Sequence, residues 1–223
     1  MRGAKFHSPE ESRSLIICLT SYGNDNKPAT VFEWEGVTSS LSSHRIFLRD
    51  LMQHWYLGPL LDFSVSYADT LAKIKTYIDA NRVDCVALIG SSMGGFAAMK
   101  MGSDLGANLV LAFSPQTCLD ATWRGKALDA RWPWKMTEIA EIGYGGLDLR
   151  HSYAARSPSS TVLFYDPSMH VDRMHARHLA GLPGVELAEV AGGHHVATPL
   201  AKAGEITRRL KDFEDSSLLT IER

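Results

Sequence analysis

The sequence predicts an α/β chain: a three-layer α/β/α sandwich around a mainly parallel six-stranded sheet. Three observations carry this. Short apolar runs alternate with longer amphipathic ones along the whole chain. Most of the short runs are apolar at nearly every position, which suits strands covered by helices on both faces. One of them, residues 83–89, passes through Gly90-Ser91-Ser92-Met93-Gly94 directly into a helix-compatible run at 96–101. The order strand, helix, strand, helix argues for helices on both sides of the sheet.

The strands are expected at residues 15–19, 46–48, 86–89, 109–113, 161–165 and 185–190. The last alternates apolar with polar, as an edge strand does. Leu71, Ile74 and Ile78 fall three and four apart and mark one helix; Ala203, Ile206, Leu210 and Phe213 mark another near the C-terminus. Residues 117–160 break this rhythm. They hold Trp123, Trp132, Pro133 and Trp134, followed by Gly143, Gly145 and Gly146. That stretch reads as a short cap or substrate wall over the strand ends, or as an aromatic satellite core. The 223 residues are otherwise read as a single domain, long enough for one sizeable core.

Composition narrows the function classes. A net charge of −2 leaves no electrostatic footprint for nucleic acid or an anionic membrane surface. No apolar run approaches the roughly 20 residues that span a bilayer, and residues 1–14 lack the apolar centre of a secretion signal. Cys18, Cys85 and Cys118 are odd in number and have no CxxC spacing. They read as thiols in a reducing compartment, which points to the cytoplasm.

The chemistry is expected at Ser92. Gly-x-Ser-x-Gly between a strand and a helix is a tight turn that crowds the backbone, and Gly90 and Gly94 leave room for it. The hydroxyl then projects from the sheet edge, where the Met93 N–H at the helix start points to the same space. In a parallel sheet the loops after the strands' carboxyl ends gather on one edge. Here they carry Ser21, Arg49-Asp50, Ser92, Ser114 to Gln116, Asp166 with Asp172, and His194.

Serine, acid and histidine follow one another in the order of the α/β-hydrolases. Over nearly its whole length the chain resembles that fold family, with the family's two leading antiparallel strands absent. The resemblance implies Ser92 as nucleophile and His194, in Gly192-Gly193-His194-His195, as general base, with His195 the alternative. It implies Asp172 as the acid that orients the imidazole, because the family's acid lies in the loop after the strand; Asp166, at the strand end, is the alternative. Asp172 could also serve as a helix N-cap. Residues 20–23, Thr-Ser-Tyr-Gly, stand where the family carries His-Gly-x, so the oxyanion donors would be the N–H groups of Met93 and Tyr22. Ser21 replaces the usual glycine there.

Arg49-Asp50, Trp55-Tyr56, the run Phe113-Ser114-Pro115-Gln116 and the pattern Asp172-x-x-His175-Ala176 are similar to a bacterial branch of this fold. Ser21, Arg49, Trp55 and Gln116 are the further candidates for substrate binding. Arg49 suits a carboxylate or phosphate, or a structural bond to Asp50. His170, Asp172, His175 and His178 could be read as a metal cluster, but no second motif completes a four-ligand site, and the reading carries no metal or cofactor. The function expected is that of a serine hydrolase that cleaves a small carboxylic ester or thioester through an acyl-enzyme. An acyltransferase using the same residues, or a non-catalytic binding module of the same fold, are the alternatives.

Overall fold

The computed structural model describes residues 2–23 and 31–219. Its seven strands are β1 (Ala4–His7), β2 (Ser14–Leu19), β3 (His44–Leu48), β4 (Cys85–Ser91), β5 (Leu109–Phe113), β6 (Ser160–Tyr165) and β7 (Val185–Glu189). They form one sheet in the order β1-β3-β2-β4-β5-β6-β7. Every pairing is parallel except that of β1 with β3.

The expected sheet of six is therefore one strand short. The missed strand is β1, an antiparallel edge, so a leading strand expected to be absent is present. Its side chains are half-buried or exposed, and it is held through the backbone: it pairs with β3, while the preceding Gly3 accepts from Arg49 N–H and donates to Leu61. A strand recruited by main-chain bonds at an edge needs no apolar run, and so none is written in its sequence.

The helices are α1 (Glu35–Thr38), α2 (Tyr67–Ala80), α3 (Met93–Leu105), α4 (Ala121–Ala127), α5 (Pro133–Ile142), α6 (Leu149–Ala155), α7 (His170–His178), α8 (Ala197–Lys202) and α9 (Glu205–Leu219). A 3₁₀ turn spans Gly193–His195. Strand periodicity assigns the two faces of the sheet. Leu15, Ile17, Leu19, Leu88 and Val110 enter one core, with Ile74 of α2 and Phe96 and Met99 of α3. Ile16, Cys18, Ala87, Ile89 and Leu111 enter the other, against Ile206 and Leu210 of α9. The central strands are apolar at nearly every position because both faces are covered. Edge strand β7 is half-buried at Val185, Leu187 and Ala188 and exposed at Glu186 and Glu189.

Residues 117–160 hold α4, α5 and α6. Asp120 caps α4 by accepting from Trp123 N–H, and Asp148 caps α6 by accepting from Arg150 N–H. Met136, Ile139, Leu149 and Tyr153 join the α3 face of the core. No described helix is long and apolar enough to cross a membrane. Cys18 and Cys118 are buried, and Cys85 is half-buried.

Candidate active site

β4 ends at Ser91 and α3 begins at Met93, so Ser92 alone makes the turn. It does so at φ 52°, ψ −117°, a strained backbone for a residue with a Cβ. The two flanking glycines make room for it. A Cβ on Gly90 would strike the Gly94 carbonyl, and one on Gly94 would strike the carbonyl of Leu19 on the neighbouring strand. Main-chain bonds fix the turn: Ser92 N–H donates to Phe113 O at 2.8 Å, and Ser92 O accepts from Phe96 N–H at 3.0 Å. The helix places Met93 N–H among the amides that have no intrahelical acceptor.

His194 comes from the 3₁₀ turn after β7. Its Nε2 lies 3.1 Å from Ser92 Oγ, and its Nδ1 lies 2.7 Å from Asp172 Oδ2. The carboxylate requires the proton on Nδ1, which leaves the Nε2 lone pair to accept from the serine hydroxyl. Asp172 sits in the first turn of α7 and is buried. It does not cap that helix: the residue before α7 is Met169, with no side-chain cap.

Asp166 has a separate place. Its Oδ2 accepts from the N–H groups of Gly192 and Gly193 at 2.9 and 2.8 Å, and its Oδ1 from Ser168 N–H and Oγ–H. These bonds, that from the Ser168 hydroxyl first, hold its carboxyl far below the ordinary carboxylate range. Asp166 thus anchors the loop that carries His194 without touching the imidazole. Gly192 stands at φ 155° and Gly193 at φ 63°, a pair of backbone states that brings both amides to one carboxylate oxygen. His195 is exposed and packs edge-on against the His194 ring at 5.7 Å.

Ser92 Oγ has a second partner, one of the residues expected among the substrate contacts. Gln116 donates to it from Nε2 at 3.0 Å, and Gln116 Oε1 accepts from Trp55 Nε1–H at 2.9 Å. An indole nitrogen only donates, so it fixes which end of the carboxamide faces the serine. Both residues are 1% exposed. Arg49, another expected ligand contact, is also buried: its Nε donates to Arg2 O at 2.6 Å and its guanidinium lies 4.3 Å over the Phe32 ring. Neither is it bonded to Asp50, whose carboxylate accepts from the N–H groups of Met52, Gln53, His54 and Tyr56. Trp55 and Arg49 are thus held in the fold.

The turn after β2 is tied on both sides of Tyr22. Ser21 N–H and Oγ–H donate to the Glu33 carboxylate at 2.8 and 2.9 Å, and Gly23 N–H donates to Gln53 Oε1 at 3.1 Å. The Tyr22 ring packs on Trp55 and Trp132, with centroids 5.6 and 5.1 Å away. Glu33 is a site residue that no motif marks. Ser21, Tyr22, Glu33, Trp34, Ser91 and His195 are among the residues lining a cleft of about 370 Å³ that adjoins the turn at Ser92.

The four residues of the alternative metal reading do not converge on one point. His175 bonds Asp129, His178 bonds Asp148, Asp172 bonds His194, and the His170 ring lies beside Arg173. Among the described residues a different trio, Cys118, Asp148 and His178, has ligand atoms within 4.8 Å of one another.

No family model matches the sequence, and no curated protein matches it. Solved structures do match. The capsule O-acetyltransferase of Neisseria meningitidis serogroup A aligns at TM-score 0.63 and 12% identity, over 94% of this chain and 92% of that one. The metagenome-derived lipolytic enzymes LipS and LipT align at TM-score 0.61 and 13% identity, over 96% and 98%. The fold is that of the α/β-hydrolases. The Glycosylation Associate Protein (Gap123) complex from Streptococcus agalactiae aligns at TM-score 0.66 and 16% identity, covering 93% of this chain but only 46% of that one. The chain therefore spans less than half the length of that protein. At these identities the likeness is one of α/β-hydrolase architecture.

Proposed function

We propose that the chain is a serine enzyme that transfers an acyl group from a small carboxylic ester or thioester through an acyl-enzyme on Ser92, with water as the acceptor. One observation carries this reading. Ser92 Oγ, His194 and Asp172 stand in hydrogen-bonded series at 3.1 and 2.7 Å, on the tight turn between β4 and α3. A binding module would need the sheet but not this series.

In this reading His194 Nε2 takes the hydroxyl proton as Ser92 Oγ attacks the carbonyl carbon. Asp172 holds the ring and stabilises the imidazolium without accepting its proton. The negative charge on the carbonyl oxygen is met by the N–H groups of Met93 and Tyr22. The Glu33 and Gln53 contacts support that role for Tyr22 by pinning the backbone before and after it. His194 then gives its proton to the leaving alcohol or thiol. Water, deprotonated by the same nitrogen, releases the acid and restores Ser92.

Treatment with a fluorophosphonate probe tests this. Wild type labelled at Ser92, and Ser92→Ala unlabelled, is the expected pair of results. An unlabelled, folded wild type would overturn the reading.

A second reading is acyl transfer to an alcohol. The polar side chains of Ser21, Glu33 and Thr198 in the adjoining cleft support it, as does the likeness to one structural neighbour, a capsule O-acetyltransferase. The acyl-enzyme is common to both, and the acceptor that reaches it decides the product. Acetylated product from an added sugar or polyol, formed faster than free acid, would favour this second reading.

A further inference from the structure

Behind the proposed triad lies a second set of polar side chains, buried at Asp129, His175 and Thr117 and half-buried at Arg131. Asp172 uses one oxygen for His194; the other, Oδ1, accepts from Arg131 Nη1 at 3.0 Å. Arg131 is held in turn by Asp129, through Nε to Oδ1 at 2.8 Å and Nη2 to Oδ2 at 2.9 Å. Asp129 Oδ2 also meets His175 Nε2 at 3.0 Å. His175 Nδ1 accepts from Thr117 N–H at 2.9 Å, so its proton sits on Nε2 and faces the carboxylate. Thr117 follows Gln116, which donates to Ser92 Oγ. The path from Ser92 through His194, Asp172, Arg131, Asp129, His175 and Thr117 thus returns to Ser92.

Building on the acyl-transfer reading, we propose that Arg131 is the positioning residue of the site, its guanidinium bridging Asp129 and Asp172 so that the 129–131 segment sets the placement and charge of the triad acid. The chemistry of the bridge supports this. A guanidinium is planar and offers two separate N–H directions, so it addresses both carboxylates at fixed angles; an ammonium cannot. Asp129 and His175 are fully buried at their side chains, and Arg131 is the cation between two buried carboxylates that would otherwise repel each other. Arg124 lies farther off, 3.6 Å from Asp129 Oδ1. Burial keeps His175 from carrying a compensating charge, against the pull of Asp129.

The charged and titratable groups facing Asp172 are Arg131 and His194 directly, with Asp129, Arg124 and the neutral His175 behind. Asp166 is occupied by the loop amides and His195 is exposed. Removing the Arg131 charge makes the surroundings of His194 more negative, which favours its imidazolium and holds back the free base. The acid limb of the rate profile then moves to higher pH. A residue that merely filled space would lower activity without moving that limb.

The test uses the full chain, with fluorophosphonate labelling of Ser92 and p-nitrophenyl acetate turnover followed across pH. Arg131→Met is expected to lose about 10²-fold in kcat with KM little changed, and to move the acid limb up by about one pH unit. Arg131→Lys keeps the charge and loses the fork. It is expected to leave the limb in place while losing about tenfold in kcat, and it carries the test if the methionine variant does not fold. Either variant folded with wild-type kcat and profile, or Arg131→Met slowed equally at every pH, would overturn the proposal. Failure of the underlying reading is distinguishable, because the wild type itself would then go unlabelled.

Discussion

Gln116→Leu separates the two jobs that one buried carboxamide performs. The substitution removes the donor 3.0 Å from Ser92 Oγ and leaves Trp55 Nε1–H, now 2.9 Å from its acceptor, without one. A buried donor left unsatisfied costs about 1–3 kcal/mol. At about 2–4 °C per kcal/mol for a chain of this size, Tm should fall by about 2–12 °C. A single hydrogen bond to the reacting oxygen, at about 1.4 kcal/mol, corresponds to a loss of about tenfold in kcat/KM. Adding Trp55→Phe removes the stranded donor as well. The double variant should therefore regain most of the lost Tm while the rate stays low. Trp55→Phe alone frees the amide to turn its oxygen toward Ser92, so its rate should also fall. Thermal melts and p-nitrophenyl acetate turnover of the four proteins complete the cycle. Full activity in Gln116→Leu, or a double variant whose instability equals the sum of the singles, would refute the reasoning.

Three further outcomes follow from the same geometry. Asp172→Asn should lower kcat by about 10⁴, because the amide presents the wrong group to Nδ1–H, whereas Asp166→Asn, which only loosens the Gly192-Gly193 loop, should lower it about tenfold; steady-state kinetics of both variants checks the order, and a larger loss at Asp166 contradicts it. Stability should fall with acid in two stages, followed by melts across pH. Burial lowers the His175 pKa from 6.5, so the unfolded chain takes up a proton that the folded one refuses, and stability declines as pH drops below that value. Burial alone would raise the Asp129 carboxyl, but the bonds from His175 and Arg131 hold it well below its ordinary 3.8; its contribution is present above that pH and is lost as acid is added below it. His175→Gln should remove the first stage, and an unchanged slope just below pH 6.5 would contradict this. Gly94→Ala should cost about 3 kcal/mol, read as Tm or failure to fold, since its Cβ would meet the Leu19 carbonyl on rigid backbone.

What could be read from the sequence and what could not have physical causes. Strands β2, β4 and β5 were legible because both faces are covered and nearly every position is therefore apolar. Strand β1 was not, since it joins by main-chain bonds at an edge. Ser92 was legible because a strand, two glycines and a helix are compressed into a few residues, which leaves a local pattern. Asp172 was separable from Asp166 by its distance from the strand end. Gln116 and Trp55 were noticed, but their hydrogen bond to each other depends on burial and on the closed fold, which residue type alone does not report. Arg131, Asp129 and Glu33 left no signal at all. Their partners lie far along the chain or follow no period: Arg131 and Asp172 are 41 residues apart, and Glu33 and Ser21 are 12 apart. Only the closed fold brings them together.

The central claim is that Ser92 carries the acyl group between donor and acceptor. Mixing the protein with p-nitrophenyl acetate, quenching in acid within one turnover and mapping the peptides by mass tests it most directly. One acetyl group is expected on the peptide containing Ser92, accumulating in wild type and absent from Ser92→Ala and His194→Ala. Turnover of the ester with that peptide unmodified at every time point, or with the acetyl group on another residue, would contradict it.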